Sequence, residues 1–173
     1  GGMDQALAFY GADVVRRGDG SFAVLVDRTQ APAGVGLALE TRIVTSRILP
    51  NLIRASHVHR LASFFEHLRG AVVDLAPHQR LRPRIAVLAS GISDPHYFDH
   101  AYLASYLGFP LLQAGDLTVR EGRVWLRTIG GLKLLDVVLR RTGDQDSDAL
   151  LVPDGETGVP GLGEAALRGE VAL

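Results

Sequence analysis

The chain has 173 residues, enough for one full domain or a domain with part of another, and its 47% hydrophobic and 21% charged content is that of a globular protein rather than a disordered one. With no cysteine it has no disulfide, thiolate zinc site, iron–sulfur cluster or cysteine nucleophile, and a formal net charge of -1 removes the electrostatic case for nucleic acid. No apolar run approaches the ~18 residues of a membrane span, and no basic-then-apolar leader opens the chain, so the sequence predicts a cytoplasmic protein with neither nucleic acid nor membrane as partner. Gly1-Gly2 ahead of Met3 reads as a tag scar. Lys133 is the one lysine, so the positive charge is almost entirely guanidinium, suited to bidentate capture of carboxylate or phosphate rather than to Schiff-base chemistry.

In chain order, residues 12–28 predict a hairpin. Val14-Val15 and Phe22-Ala23-Val24-Leu25-Val26 flank the Asp19-Gly20 turn signal. The segment 29–34 is a loop closed by Pro32 and Gly34. From Val35 the spacing of Leu37, Leu39 and Ile43 predicts a helix broken near Pro50. A second helix is expected over about 51–68, with Val58, Leu61, Phe65 and Leu68 on one face and Arg54, His57, Arg60 and Arg69 on the other. The polar connector 76–83 is the boundary candidate, separating a hairpin-and-helix unit (3–75) from an α/β unit (84–173).

In the second unit, Arg84–Ala89 reads as a buried parallel strand ending in Ser90-Gly91. Ser93-Asp94-Pro95 offers a helix start, and the helix His96–Leu107 stops at Gly108. Phe109–Gln113 is the next strand, 117–120 and 123–127 form a second hairpin, and Leu134–Arg140 is a further buried strand. An acidic loop at 143–148 precedes a last helix near 162–168, and Val171–Leu173 begins a strand that does not finish. The expected fold class is α/β: an antiparallel hairpin plus helices leading into a Rossmann-like parallel sheet with an inserted hairpin, the second unit truncated at its C-terminus.

Several constellations bear on chemistry, each with a plainer reading beside it. Gly91, between a strand and a helix, could let backbone N–H groups cradle an anion, but no G-x-G-x-x-G or P-loop lysine accompanies it, and a sharp turn explains it as well. His96 and His100 stand four apart on one helical face, a metal-compatible spacing with no evident third ligand. His57 and His59 point to different faces of their predicted helix. Arg127, Arg140 and Arg141 end predicted strands, where ligands of open α/β sheets collect; they form either a carboxylate or phosphate clamp or a salt-bridge set with Asp136 and the acidic loop. Asp144, Asp146 and Asp148 alternate without the glycine and distal glutamate of a calcium loop. No G-x-S-x-G elbow supports a hydrolase.

Five stretches resemble the circularly permuted type 2 ATP-grasp proteins, relatives of glutathionylspermidine-synthase-like ligases. They are Gly20–Arg42 with Pro32-Ala33-Gly34 and Ala38-Leu39-Glu40; Tyr97–Leu103; Gly115-Asp116-Leu117; Arg127-Thr128 through Arg140-Arg141; and Gly158–Leu162. The resemblance implies part of a carboxylate–amine ligase that works through an acyl phosphate, with ATP and Mg²⁺ in the full-length family and none expected on this fragment. It implies that the first hairpin ends a permuted grasp and that residues from Arg84 onward form the substrate-side domain.

Family members usually read Glu-Asp-Asn on the second hairpin strand, and the Glu and Asn resemble metal ligands. Here the triplet is Val26-Asp27-Arg28. Valine cannot ligate a metal, and at ~5 Å and an effective dielectric of ~20, Arg28 would repel a divalent ion by roughly 6–7 kcal/mol before screening. Asp27 alternates to the other face. The expectation is therefore no catalytic or metal residue, a degenerate metal site, and a fragment inactive alone whose partner is the remainder of its own polypeptide or a neighbouring chain. The substrate-site candidates are Gly91, Ser93, Tyr97, His100, Arg127, Arg140 and Arg141. The alternatives are a non-catalytic small-molecule-binding or assembly module and a stand-alone Rossmann-type binder.

Overall fold

A computed structural model describes residues 9–77, 80–142 and 158–173. The chain opens with the hairpin β1 (Gly11–Arg16) and β2 (Phe22–Arg28), antiparallel with a bulge between Asp13 and Val14. Its turn is closed by local chemistry: Arg17 N donates to Ser21 O at 2.8 Å, and the Asp19 carboxylate accepts from the Ser21 amide and hydroxyl. Gly20, at φ 86°, takes the left-handed position that the turn requires.

Three helices follow: α1 (Val35–Ile48), α2 (Pro50–Ala55) and α3 (Ala62–Asp74). The single helix expected over 51–68 is thus two. The break is at His57, whose φ of 49° lies outside the helical region, and the Ser56 hydroxyl bonds back to Leu52 O at 2.8 Å as α2 ends. Apolar spacing persists across 58–68, but periodicity cannot register one left-handed residue. Accordingly Val58 is exposed, while Phe65, Leu68 and Val72 of α3 are buried.

The parallel sheet has the order β4-β3-β8, from β3 (Ile85–Leu88), β4 (Leu111–Leu112) and β8 (Val137–Arg140). Ala172 adds an isolated parallel bridge to Val137 on the outer side of β8. Between β3 and β4 runs α4 (Tyr97–Leu107), ended by Gly108 at φ 73° with Phe109 N bonding back to Ala104 O. Where an inserted hairpin was expected, there are three antiparallel strands: β5 (Leu117–Arg120), β6 (Arg123–Thr128) and β7 (Gly131–Leu134).

The one buried strand expected over 134–140 is therefore two strands in different sheets. The crossing point is Leu135-Asp136: Leu135 N donates to Val124 O in the antiparallel sheet, and Asp136 N donates to Arg84 O beside the parallel one. The buried Asp136 carboxylate needs partners, and finds them in the Arg84 amide at 2.7 Å and Arg80 Nε at 3.3 Å.

Side chains alternate across the parallel sheet. Ala86, Leu88 and Val138 face a cluster with Leu117, Val124, Leu135 and the last helix, α5 (Leu162–Leu167). Ile85 and Val137 face the other way, against Leu39 of α1, Phe65, Leu68 and Val72 of α3, and Leu103 and Leu107 of α4. Residues before and after the 76–83 connector share this second cluster. No helix among the described residues is long and apolar enough to cross a membrane.

Candidate functional site

The segments before and after the hairpin and the carboxyl end of β8 meet around one side chain, Arg141. Its amide donates to Leu88 O at 2.8 Å, extending the β3–β8 pairing by one step. Its guanidinium is 2% exposed, donates through Nη2 to Pro32 O, and stacks with Cζ 5.0 Å from the centre of the Phe9 ring. Nε has no hydrogen-bond partner among the described residues. Arg141, Arg140 and Thr142 line a cavity of about 500 Å³ together with the loop Thr29-Gln30-Ala31-Pro32, over an apolar base that includes Val137 and Leu139. Burial draws the Arg141 guanidinium down to about 10, with Asp99 and Asp94 opposing that shift, so it stays cationic at neutral pH.

Two neighbours on α4 fix this arrangement. Asp99 is buried and accepts from Gly34 N at 2.8 Å and Leu37 N at 2.9 Å, closing the first turn of α1 with a carboxylate from a distant helix. The approach is so close that a Cβ at Gly36 would lie 2.9 Å from Asp99 Oδ1, so only glycine fits there. His100 is equally buried, and its Nδ1 stands 3.9 Å from Asp94 Oδ2, without a hydrogen-bond partner among the described residues. Burial first, then the Arg141 charge, push its pKa below the ordinary 6.5, with Asp94 and Asp99 pulling the other way. The cavity thus presents a fixed, desolvated cation, while His100, biased toward neutrality, is within the field of Arg141 but not among the lining residues. Such a cation suits holding a carboxylate or phosphate oxygen.

Of the residues singled out from sequence, Arg140 and Arg141 share the cavity, and His100 lies within the electrostatic reach of Arg141. Gly91 and Tyr97 belong to the turn entering α4: Asp94 N donates to Gly91 O, and Tyr97 N to Asp94 O, both at 3.0 Å. Gly91 has φ 108°, and a Cβ there would press on the Gln113 amide. Ser93 is exposed, and Asp94 rather than Ser93 accepts the His96 amide, at 2.7 Å. Arg127 lies on β6 in the antiparallel sheet and is not among the residues lining the Arg141 cavity. Asp136 sits at the amino end of β8, paired with Arg80 and Arg84, away from Arg140 and Arg141 at the carboxyl end. The acidic loop lies outside the described residues. The rings of His96 and His100 are 6.2 Å apart, centre to centre.

Sequence reasoning gave no place in the site to Asp99, Phe9 or the Pro32 carbonyl, and read Asp94 only as part of a helix start. A signal for Asp99 was available, since it stands inside the Tyr97–Leu103 stretch that carries the family resemblance.

The hairpin does not fit a divalent metal. Val26 is on the same face as Asp13 and Arg28, and Arg28 clasps the Asp13 carboxylate through Nη2 at 2.6 Å and Nε at 3.2 Å. Asp27, directed to the opposite face, accepts from the Tyr10 hydroxyl at 2.5 Å. Among the described residues no three His, Asp or Glu are grouped to hold a metal ion.

Comparison with known proteins matches residues 2–173 to the family described as circularly permuted ATP-grasp type 2. An uncharacterised protein of Mycobacterium tuberculosis is 42% identical over 168 residues, covering 96% of this chain and 19% of the relative. One from a Synechocystis species is 37% identical over 164 residues, covering 94% of this chain and 34% of the relative. One from Mycobacterium leprae is 34% identical over 164 residues, with 94% and 29% covered. The chain thus spans roughly a fifth to a third of these relatives' lengths. With nearly the whole chain matched in order, and with the stretches from Gly20 to Arg42 and from Tyr97 to Leu103 meeting at the Asp99–α1 contact, this chain belongs to the circularly permuted type 2 ATP-grasp family.

Proposed function

We propose that the Arg141 cavity is the acid-binding part of an ATP-grasp carboxylate–amine ligase-like protein, and that the hairpin beside it no longer serves a metal. The observation that carries this reading is the buried guanidinium of Arg141, whose Nε is unpartnered among the described residues and which lines a cavity that runs along β8 and past its carboxyl end. A desolvated cation is costly unless an anion completes it, and a substrate carboxylate would do so with charge-assisted hydrogen bonds.

In such a ligase, ATP phosphorylates the carboxylate with release of ADP, and an amine then displaces phosphate from the acyl phosphate. This chain's residues would bind and orient the acid. Arg141 holds a carboxylate oxygen, Asp99 keeps the α1 loop against it, and His100 stays uncharged beside the guanidinium. The relatives' greater length leaves room for ATP and Mg²⁺ to be held elsewhere in a longer polypeptide. On this reading the protein works in the cytoplasm, where ATP is available.

The Arg28–Asp13 pair favours a second reading, a binding or assembly module that has kept the fold and lost the chemistry. Hydroxylamine trapping separates the two. A polypeptide of the relatives' length is incubated with ATP, Mg²⁺, hydroxylamine and a panel of amino and dicarboxylic acids. Acid-dependent hydroxamate that Arg141→Gln abolishes supports the ligase reading. Hydroxamate only after Val26→Glu with Arg28→Asn means that the scaffold remains and its metal site has lapsed. Silence in both forms hands the function to the module.

A further inference from the structure

A second concave site, separate in its lining from the Arg141 cavity, is formed by α1, α2 and the turn after α2, and nothing in the ligase reading has a use for it. Leu39, Arg42 and Ser46, spaced three and four apart on α1, face α2 and the turn that joins α2 to α3, enclosing about 520 Å³. The floor is apolar, from Leu39, Ile53 and Leu61. The polar lining is one-signed: it contains Arg42, Arg54 and Arg60 with His57 and His59, and no aspartate or glutamate.

In a chain whose acidic and basic residues nearly balance, at 19 and 18, such local exclusion of acids is a directed field rather than a solvated average. Arg42 Nη1 donates to His59 O at 3.2 Å, tying α1 to the turn that carries the other cations. Among the described residues Arg54, His57 and Arg60 have no acidic partner. The turn is held in a costly shape as well: His57 sits at φ 49°, a conformation that disfavours a side chain by ~1–2 kcal/mol. Strain of this kind inside a cavity wall points to a demand on where the side chain is placed.

We infer that this groove binds a phosphate monoester, the dianionic head on Arg42, Arg54 and Arg60 and an apolar body on the Leu39–Ile53 floor. Guanidinium forks match phosphate geometry, and a cavity of this size accommodates a small organic phosphate. The head could equally be free inorganic phosphate, and the floor tells the two apart.

The test titrates this chain at fixed ionic strength with phenyl phosphate, inorganic phosphate and benzoate, following amide shifts by NMR. Phenyl phosphate should saturate with shifts centred on 42, 54 and 57–60, about ten-fold tighter than inorganic phosphate. Arg42→Gln with Arg60→Gln should weaken both phosphates by at least about ten-fold. These arginines are not in the core, so an unchanged melting temperature verifies the fold. Equal affinity for the two phosphates would reassign the site to free phosphate and overturn the ester. Shifts centred on 29–32 and 140–142, binding indifferent to the double substitution, or no saturation would each overturn the site itself.

Discussion

The segments that flank the first hairpin reach Arg141 at the end of the parallel sheet, yet hairpin and sheet are built on opposite terms. In β3 all four residues are buried, and its two faces feed two separate apolar clusters. In β2 one residue of seven is even partly shielded, with Phe22 70% and Leu25 67% exposed. A two-stranded ribbon with both faces in water has little apolar burial to hold it. Its positioning here rests on polar contacts, at the turn, at Arg28–Asp13 and at Tyr10–Asp27. The sheet therefore fixes where the site is, and the hairpin is the part in which sequence can change without unfolding the rest. The departure Val26-Asp27-Arg28 lies in that part.

The sharpest way to break this comparison is a matched pair of truncations. Leu103→Ala, at a position with no exposure between α4 and the helical core, should destabilise by about 3 kcal/mol, whereas Leu25→Ala in the hairpin should stay within about 0.5 kcal/mol. Chemical denaturation measures both, and comparable losses would show that the hairpin is packed as tightly as the sheet. Next in size is Asp99→Ala. It strips the partner from two backbone donors, Gly34 N and Leu37 N, and should cost about 2 kcal/mol. Hydrogen exchange should then quicken at the start of α1 while β3 amides keep their protection. Uniform loss across the chain would contradict a local cap.

Much of this contrast was legible in the sequence. Asp19-Gly20 between two β-rich runs marks the hairpin, and the continuous apolar run Ile85–Ala89 ending at Gly91 marks a strand buried on both faces. What was not legible is where one residue overrides a pattern. His57 adopts a left-handed backbone, and α2 and α3 part company across an unbroken apolar rhythm. Asp136 carries the chain between sheets, because burying its carboxylate requires the Arg84 amide, a partner 52 residues away in sequence. The candidate site divides in the same way. Arg140 and Arg141 could be found from their place at a strand's carboxyl end, but Arg127 ends a strand too, and strand ends do not say which sheet they belong to. For Asp99 the resemblance of Tyr97–Leu103 marked the stretch, but its role was not legible because its partners, Gly34 N and Leu37 N, are backbone groups with no sequence signature.

A smaller expected effect concerns His100, on the sheet side of the comparison. Its folded pKa is below the ordinary 6.5, so in the window beneath that value the unfolded chain binds a proton that the folded chain refuses. Stability must then fall as pH drops from about 6.5 toward the lower folded value, and His100→Gln should flatten that part of the profile. Melting temperatures between pH 7.5 and 5 give the comparison directly. An unchanged slope in the variant would mean that His100 titrates as an exposed histidine does.

The smallest effect belongs to the hairpin and sharpens the contrast most. Arg28 holds the Asp13 carboxyl below the usual carboxylate range, chiefly through the hydrogen bonds it donates, and both side chains are half in water. An exposed pair of this kind adds little to stability, because solvent screens it and ordering two side chains opposes it. Arg28→Asn should therefore leave the melting temperature where it is. The Asp13 carboxyl, followed by NMR, should nonetheless return toward its ordinary value of 3.8 once the guanidinium is gone. Sign and size separate here. A clear rise in the Asp13 pKa with no change in melting would show a charge pair that organises the face of the ribbon without supporting the fold. A drop in melting temperature would mean that the hairpin depends on this pair to hold its strands together.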